Sequence, residues 1–323
     1  MSHKQLIWNI LEVNRETWDK YWPQVQFSNL MQSWEYGEAK RCQGWQAIRF
    51  LVLDGKNIPF GLLQVMFKGL PLLGGIARIN RGPLLFKDPF NLPPDTQQVN
   101  MIWFSIWRLA KVKRWWYLSV APELPVEDRY FSELQKLGYK KKGKRVAWGS
   151  TRLSLKPARK DLLMGLKGKW RNLLRKGEKL GIMVEEVTCD KQVSSLIECY
   201  AEFKKIREFV GVPSKLLVEL YGQSGANFSF KVYQTFGVTG KDVSAFVFVI
   251  HHGDTATYLV GWSSEEGRML QANYLLLWRG IMEAKAAGLR WFDMGGLNQN
   301  TTKGIAHFKA GVNGVPYQLI GEF

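Results

Sequence analysis

Near its end the chain reads YLVGWSS (258–264), QANYLLLWRGIMEAKAAG (271–288) and RWFDMGG (290–296). The middle segment repeats apolar residues at helical spacing, which gives the predicted helix one face for burial. Gly288 closes that segment, as is typical of the residue just past a helix end. The flanking segments are aromatic and apolar and predict strands. A helix laid between two strands is the unit of a layered α/β fold.

The length and composition predict two folded domains. The chain has 323 residues, more than one hydrophobic core usually organises. Hydrophobic residues make up 46% and aromatic residues 13%, which is enough for buried cores and excludes global disorder. The order helix, hairpin strands, helix and strand occurs in each half, so we expect the same α/β unit twice.

Both halves contain further segments whose hydrophobic pattern predicts a helix or a strand. In the first half, a hairpin is predicted at 47–69 around the turn residues 54–57, and helices at 29–45, 97–115 and 126–138. The lysine-rich stretch 139–160 is expected to link the halves. In the second half we expect helices at 159–180, 195–209 and 215–223, and strands at 183–188, 228–237, 244–250 and 256–264.

The amino-terminal residues and the cysteines favour the cytoplasm. Residues 1–18 contain charges in every short window and lack the apolar run of a signal peptide. No window approaches the ~20 apolar residues that span a bilayer. Three scattered cysteines predict neither a disulfide framework nor a metal cluster, and the four histidines show no ligand spacing. We therefore expect no metal site.

Basic residues are concentrated in one region. The chain has 45 Lys and Arg against 28 Asp and Glu, a formal net charge of +17. Residues 140–176 alone contain fourteen Lys or Arg and one acid, Asp161. Such a run is either a solvated face or a surface for a polyanion. The polyanions it suits are RNA, a diphosphate-bearing precursor and an anionic membrane.

The sequence lacks the common catalytic motifs. No Ser-His-Asp or Cys-His arrangement, no G-x-G-x-x-G and no Walker A motif can be identified. Acyl transfer needs neither a protein nucleophile nor a cofactor when the donor is already an activated ester. An amine of the acceptor can then attack directly, provided that the developing oxyanion is stabilised.

Four motifs of the second half occur together in one known family. They are Tyr-x-x-Gly-x-Ser-Ser at 258–264, Gln-x-Asn-Tyr-Leu-Leu-x-Trp at 271–278, Phe-Asp-x-Gly-Gly at 292–296 and Phe-Lys-x-Gly at 308–311. In this order and spacing the chain resembles the Fem (FemABX-like) family. Its members are aminoacyl-tRNA-dependent peptidyltransferases that add residues to the stem peptide of peptidoglycan precursors.

The resemblance implies a fold and its boundaries. We expect an α/β fold with mixed sheets, built as two tandem Gcn5-related N-acyltransferase-like domains over 1–148 and 149–314. The last strand, within 315–323, is expected to cross back and complete the first domain. No long heptad insert is visible after residue 140, so the coiled-coil arm of some members is absent. The implied substrates are aminoacyl-tRNA and a lipid-linked or nucleotide-linked precursor, with no cofactor.

The resemblance also implies roles for single residues. Lys309 matches the family's lysine that lies beside the reacting ends of donor and acceptor. A cation there would stabilise the charge that develops on the aminoacyl carbonyl or on the departing ribose oxygen. Phe308 precedes Lys309, and its ring would hold the substrates in position by packing. Lys40 and Arg207 match cations that meet the precursor phosphates, and Tyr258 matches a tyrosine near the acceptor. The ordinary alternatives are exposed cations and a core tyrosine.

A cationic ridge is expected on the helix at 159–180. The segment KGKWRNLLRKGEKLG (167–181) matches a family pattern, and as a tRNA contact its cations would bind phosphate without reading bases. The alternative is an amphipathic helix that associates with the inner leaflet of the cytoplasmic membrane. The ridge residues are Lys169, Arg171, Arg175 and Lys176.

Other functions stay open on the sequence alone. A Gcn5-like acyl-CoA-dependent N-acyltransferase would cradle pyrophosphate on glycines at a helix start. Gln271 and Asn273 occupy those places here, which disfavours coenzyme A. A tRNA-dependent ligase acting on a peptide outside the cell wall is a further alternative. So is a basic RNA-binding or membrane-binding module without catalytic activity.

Overall fold

The computed structural model describes residues 8–70, 73–87, 92–143, 147–297 and 301–323. The chain divides into two compact units. The first comprises Met1–Gly149 with Tyr317–Phe323, and the second comprises Ser150–Pro316. Each unit contains a mixed β-sheet covered by helices, so the fold is mixed α/β.

The first sheet is built on the predicted hairpin. Its strands follow the spatial order β1-β2-β3-β4-β6, with β5 paired to β3 and with β4 and β6 parallel. The hairpin turn forms because the Asp54 carboxylate accepts hydrogen bonds from the backbone N–H groups of Lys56 and Ile58. The strands are β1 (Asn9–Glu12), β2 (Gln46–Leu53), β3 (Pro59–Leu70), β4 (Gly74–Asn80), β5 (Leu84–Leu85) and β6 (Trp115–Ala121).

The helices of the first unit cover two hydrophobic clusters, one with α3 and α4 and the other with α1. α3 begins at a capping box between Asp95 and Gln98, and its buried face packs on the sheet. The predicted helix 29–45 is shorter than expected: α2 is flanked by 3-10 turns, and Gly44 ends the segment with a positive φ. The helices are α1 (Arg15–Tyr21), α2 (Trp34–Ala39), α3 (Thr96–Val112) and α4 (Asp128–Lys136).

The second sheet contains a strand that the sequence analysis missed. β7 lies inside the stretch 139–160 that was predicted to be a link, and it pairs with β12. Its buried residues Ser150, Thr151 and Arg152 are polar, so hydropathy does not reveal them. The order is β13-β7-β12-β11-β10-β9-β8. The strands are β7 (Gly149–Ser154), β8 (Glu185–Glu186), β9 (Phe228–Phe236), β10 (Val243–His252), β11 (Thr255–Ser263), β12 (Trp291–Asp293) and β13 (Val315–Gln318).

Helices cover both faces of the second sheet. One cluster joins α5, α6 and α10 to Val247 and Phe292, and another joins α7 and α8 to Phe246 and Phe248. The predicted helix 159–180 is divided in two at Leu166 and Lys167. Gly288 follows α10 with φ +79, as predicted. The helices are α5 (Arg159–Gly165), α6 (Gly168–Lys179), α7 (Asp190–Ile206), α8 (Ser214–Tyr221), α9 (Glu265–Met269), α10 (Ala272–Ala286) and α11 (Lys303–Ala310).

The second sheet opens between its two parallel strands. β11 and β12 pair only where Thr255–Thr257 face Trp291–Asp293. Beyond this point β11 continues to Ser263, whereas the chain after Asp293 turns at Gly295, whose φ is +68. A crevice at the carboxyl ends of such strands is where α/β sheets bind ligands. None of the helices that the structure describes combines the length and hydropathy needed to cross a membrane.

Candidate active site

Lys309 lies at this opening of the second sheet. It belongs to α11, and it is buried although the sequence alone would favour an exposed lysine. Its ammonium donates to the Gly296 carbonyl at 2.9 Å and lies 5.5 Å from the ring centroid of Tyr258. Burial lowers the pKa of Lys309 to about 8, and the nearby Asp293 carboxylate opposes that shift. The amine is therefore still mostly protonated at neutral pH.

A buried carboxylate fixes the turn that holds Lys309. Asp293 is 3% exposed, and its Oδ1 accepts from Ser150 Oγ at 2.6 Å and from the Gly295 N–H at 2.7 Å. The same Ser150 hydroxyl oxygen lies 2.8 Å from the Gly295 carbonyl oxygen. These contacts fix the Gly295–Gly296 turn, and therefore the carbonyl to which Lys309 donates. The sequence analysis gave Asp293 no role, although an acid inside an apolar strand was a usable signal.

Phe308 lies among three other aromatic rings. Its centroid is 6.1 Å from that of Trp170, 5.2 Å from that of Tyr274 and 6.4 Å from that of Tyr258. The Trp170 indole N–H donates to the Phe308 carbonyl at 3.1 Å, which ties α6 to α11. The sequence analysis gave Trp170 and Tyr274 no role beside Lys309. Together the rings form an apolar wall beside Lys309.

Tyr258 stands on β11 where pairing with β12 ends. The ring is half-buried, and burial raises the pKa of Tyr258, so the phenol stays neutral. Its hydroxyl lies over Gly261, where a Cβ atom would come within 1.9 Å of the hydroxyl oxygen. Within the described parts of the chain this hydroxyl makes no hydrogen bond, which leaves it able to bind a substrate group.

Arg207 lies at the end of α7, a helix that belongs to the other hydrophobic cluster of the second unit. It caps the end of α7, is exposed, and lies 6.0 Å from the Phe203 ring centroid. The apolar face of α7 packs on the sheet face opposite to the one that holds Phe308. The loop after α7 is fixed by the Tyr200 hydroxyl, which accepts from the Val212 N–H at 3.0 Å.

Lys40 lies in the first unit with two further cations. It follows α2, is half-buried, and donates to the Gln43 side chain. Burial lowers the pKa of Lys40, Cys42 opposes this, and the positive charges of Arg78 and Lys68 lower it further. Lys40, Lys68 and Arg78 are thus close enough to interact electrostatically. The sequence analysis identified only Lys40, because the other two lie on separate strands.

The predicted ridge on α6 is only partly exposed. Lys169, Arg175 and Lys176 project into solvent, whereas Trp170 and Leu174 face the core. Arg171 is half-buried, and its guanidinium donates to the Met164 carbonyl at 2.7 Å and to the Leu166 carbonyl at 3.4 Å. Arg171 therefore satisfies carbonyls at the end of α5, a structural role that the sequence did not predict.

The turn before α10 is occupied by side chains. Gln271 has φ +61 and donates to the Arg268 carbonyl at 3.0 Å, and Asn273 donates to Ser263 Oγ at 3.1 Å. Both amides are thus hydrogen-bonded to the protein at the helix start where the sequence analysis expected an acyl-CoA enzyme to have glycines. Over the described ranges, no group of three or more His, Cys, Asp or Glu side chains is arranged to hold a metal ion.

The two sheets and the opening beside Lys309 define a protein of the tandem N-acyltransferase-like class. A family profile described as the FemAB family matches residues 13–209 and 230–323. The chain belongs to the FemAB family.

Solved structures agree with this fold. A crystal structure of FemX is 16% identical, with 98% of this chain and 96% of that chain covered and a TM-score of 0.77. L-PGS from Bacillus licheniformis is 11% identical, with 96% and 91% covered and a TM-score of 0.52. A tandem GNAT protein from the clavulanic acid biosynthesis pathway is 12% identical, with 97% of each chain covered and a TM-score of 0.50. No protein of curated function matches by sequence.

Proposed function

We propose that this protein is an aminoacyltransferase that moves an amino acid from aminoacyl-tRNA to a peptide amine of a peptidoglycan precursor. Membership of the FemAB family supports the reaction class. The observation that carries the proposal is the buried ammonium of Lys309, which the Gly296 carbonyl holds beside Tyr258 at the opening of the second sheet. Among the described residues the ammonium donates to the Gly296 carbonyl, and a buried cation at the carboxyl ends of parallel strands suits the stabilisation of a developing oxyanion.

The proposed reaction needs no covalent enzyme intermediate. The acceptor amine attacks the ester carbonyl of the aminoacyl-tRNA, a C–N bond forms, and the C–O bond to the ribose breaks. The ribose oxygen leaves as a hydroxyl and takes up the proton that the amine loses. In the part of the chain that the structure describes, Lys309 donates one N–H to Gly296, so two donors are left there for the carbonyl oxygen or the departing oxygen. Phe308 and its neighbours would exclude water from the ester.

Cations in both units suit the phosphate groups of the precursor. In the first unit burial lowers the pKa of Lys40 and the positive charges of Arg78 and Lys68 lower it further, a repulsion that a bound diphosphate would offset. In the second unit Arg207 is an exposed guanidinium, which can bind phosphate bidentately. The Tyr258 hydroxyl is proposed to bind the acceptor peptide. Both assignments suit a lipid-linked and a nucleotide-linked precursor.

The exposed cations of α6 are proposed to bind the tRNA donor. Lys169, Arg175 and Lys176 project from one helix whose other face is anchored in the core. Contacts of this kind bind the phosphate backbone and read no bases. Arg171 is left out of this surface because it donates to the end of α5.

One incubation tests the donor and the acceptor together. The full chain is mixed with a set of aminoacylated tRNAs and a nucleotide-linked stem-peptide precursor, and the peptide is analysed by mass. A peptide heavier by one amino acid residue is the expected product. A product formed from acetyl-CoA and not from charged tRNA would overturn the proposal in favour of an acyl-CoA enzyme. Transfer only to other peptides would place the acceptor outside the cell wall.

The Lys309→Met variant tests the chemical step. We expect single-turnover transfer to fall by about a hundredfold or more, as when a donor to a developing oxyanion is removed. Binding of tRNA should stay near wild type, and calorimetry should show that the variant is folded. Lys303→Met, which removes an exposed cation from the same helix, is the matched control and should keep its activity. Wild-type rates in Lys309→Met would remove this residue from the mechanism.

A further inference from the structure

One end of the first sheet exposes a group of large apolar side chains. We call this group the hairpin patch. The exposed fraction is 71% for Trp116, 62% for Leu70 and 60% for Leu73. Single exposed apolar residues are ordinary, but a contiguous group of them marks an interaction surface. The patch consists of Leu70, Leu73, Ile76, Val112, Trp116 and Tyr117.

The strand pairing shows that these side chains are neighbours. Leu70 pairs with Gly74 across β3 and β4, and Ile76 pairs with Tyr117 across β4 and β6. A Cβ atom at Gly74 would lie 2.8 Å from the Trp116 indole nitrogen, so that ring covers the hairpin end. A shallow groove between the sheet and the end of α3 is lined by Leu70 and Val112, among others. The patch residues therefore surround the same end of the first sheet.

The surroundings of the patch are positively charged. The stretches 55–87 and 96–122, which supply every patch residue, contain nine Lys or Arg and no Asp or Glu. Three of these cations are already paired with acids outside the two stretches: Lys113 with Glu12, Arg78 with Glu322, and the buried Arg81 with Glu123.

Cations also lie over aromatic rings at this end of the unit. The Lys111 ammonium is 3.6 Å from the Trp107 ring centroid, and that of Lys142 is 4.9 Å from the Tyr117 ring centroid. Exposed aliphatic tips, interfacial aromatic rings and surrounding cations occur together where a protein rests on an anionic bilayer.

We propose that the hairpin patch docks onto an anionic lipid bilayer. Leu70, Leu73 and Trp116 enter the boundary between head groups and acyl chains, and the surrounding lysines and arginines meet the lipid phosphates. A second copy of the chain is a poorer occupant, since a symmetric contact would bring the same cations together. RNA would use the cations but gains nothing from exposed leucines. This proposal does not rest on the proposed catalytic function, because it concerns binding without substrate.

Vesicle flotation with the full chain tests the proposal. Wild type should float with phosphatidylcholine vesicles that contain phosphatidylglycerol, and not with phosphatidylcholine alone. The triple variant Leu70→Ser, Leu73→Ser and Trp116→Ala should lose partitioning by at least about tenfold, since it removes apolar area and no charge. Thermal unfolding checks that the variant is folded. The matched control removes three exposed apolar side chains of the second unit, with Met183→Ser, Val238→Ser and Met269→Ser.

Several results would overturn the assignment. Equal flotation of wild type and the triple variant would show that the patch does not contact lipid. An equal loss in the control would show that exposed apolar area in general, and not this surface, drives binding. A triple variant that binds vesicles normally but no longer self-associates would make a second copy the occupant. If tRNA displaces the wild type and the triple variant from the vesicles equally, cations elsewhere on the chain would be responsible for the binding.

Discussion

Lys309 combines a positive charge with almost complete burial, and that combination has a measurable consequence. An ammonium taken out of water is destabilised unless fixed dipoles and charges replace its hydration. Here the Gly296 carbonyl accepts from it and the Asp293 carboxylate is nearby. Asp293 is itself fixed by Ser150 and the Gly295 N–H. Burial nevertheless lowers the pKa of Lys309 to about 8.

The lowered pKa of Lys309 predicts how stability depends on pH. Between about 8 and 10.5 the unfolded chain binds a proton at Lys309 that the folded chain lacks. The free energy of unfolding therefore rises with pH across this window, by up to about 3 kcal/mol. The Lys309→Met variant should lack this rise, as denaturant titrations of both proteins at each pH would show. If the free energies of unfolding of the two proteins differ by the same amount at every pH, the prediction is contradicted.

Gly295 is a second residue whose local geometry predicts an effect. Its φ is +68, and an added Cβ atom would lie 2.4 Å from the Tyr258 carbonyl oxygen. We expect Gly295→Ala to lower the free energy of unfolding by about 2 kcal/mol or more and to reduce transfer. Gly304→Ala, on α11 with no atom near its Cβ position, should be neutral or stabilise by about 0.5 kcal/mol. Similar unfolding temperatures for both variants would refute this prediction.

At the scale of elements, α6 joins a structural face to an exposed basic face. Trp170 and Leu174 are buried in the core that α6 shares with α10, and Trp170 also donates to the α11 backbone. The opposite side presents Lys169, Arg175 and Lys176 to solvent. The same helix therefore fixes the aromatic wall beside Lys309 and displays cations at a constant orientation.

The basic face of α6 predicts a salt-dependent effect. Replacing Lys169, Arg175 and Lys176 with alanine should weaken tRNA binding and reduce the slope of log K against log salt by about 2 to 3. The matched control replaces Lys191, Lys215 and Lys241, three exposed lysines of the same unit, and removes the same charge. Its slope should change much less. Equal slopes in the two variants would show that tRNA binding depends on the net charge of +17 alone, and not on the cations of this helix.

At the scale of the whole chain, the first unit is completed by the last seven residues. Ile320 and Phe323 are buried in its core, and the Phe323 ring lies 5.7 Å from that of Phe131. Phe323 and Val120 exchange backbone hydrogen bonds of 2.8 and 2.9 Å. The first unit is therefore assembled from both ends of the sequence.

Deleting residues 317–323 should unfold the first unit. Burial of Tyr317, Ile320 and Phe323 contributes about 2 kcal/mol each, a sum comparable to the whole stability of a domain. Calorimetry should show one cooperative transition lost in the truncated chain. Val315→Ser, at an exposed position just before the deleted segment, should leave the transitions unchanged. A truncated chain that unfolds like wild type would contradict this role of the carboxyl terminus.

The sequence by itself determined the elements with a strong local pattern. The hairpin around Asp54, the helices α3 and α10 and the α10 end at Gly288 all follow from periodicity and turn chemistry, which act within a few residues. The motif at 308–311 singled out Phe308 and Lys309, and the family assignment is confirmed by the FemAB match. These features could be predicted because neighbours in the sequence fix them.

Only the tertiary structure decided which side chains meet. β7 was missed because its polar residues are buried, and they are buried because Ser150 reaches Asp293, 143 residues away. The burial of Lys309, the cations beside Lys40 and the role of Arg171 likewise depend on partners from other elements. Local pattern encodes which face of an element is apolar. Which polar group lies against that face depends on how the elements pack. These contacts join residues that are far apart in the sequence.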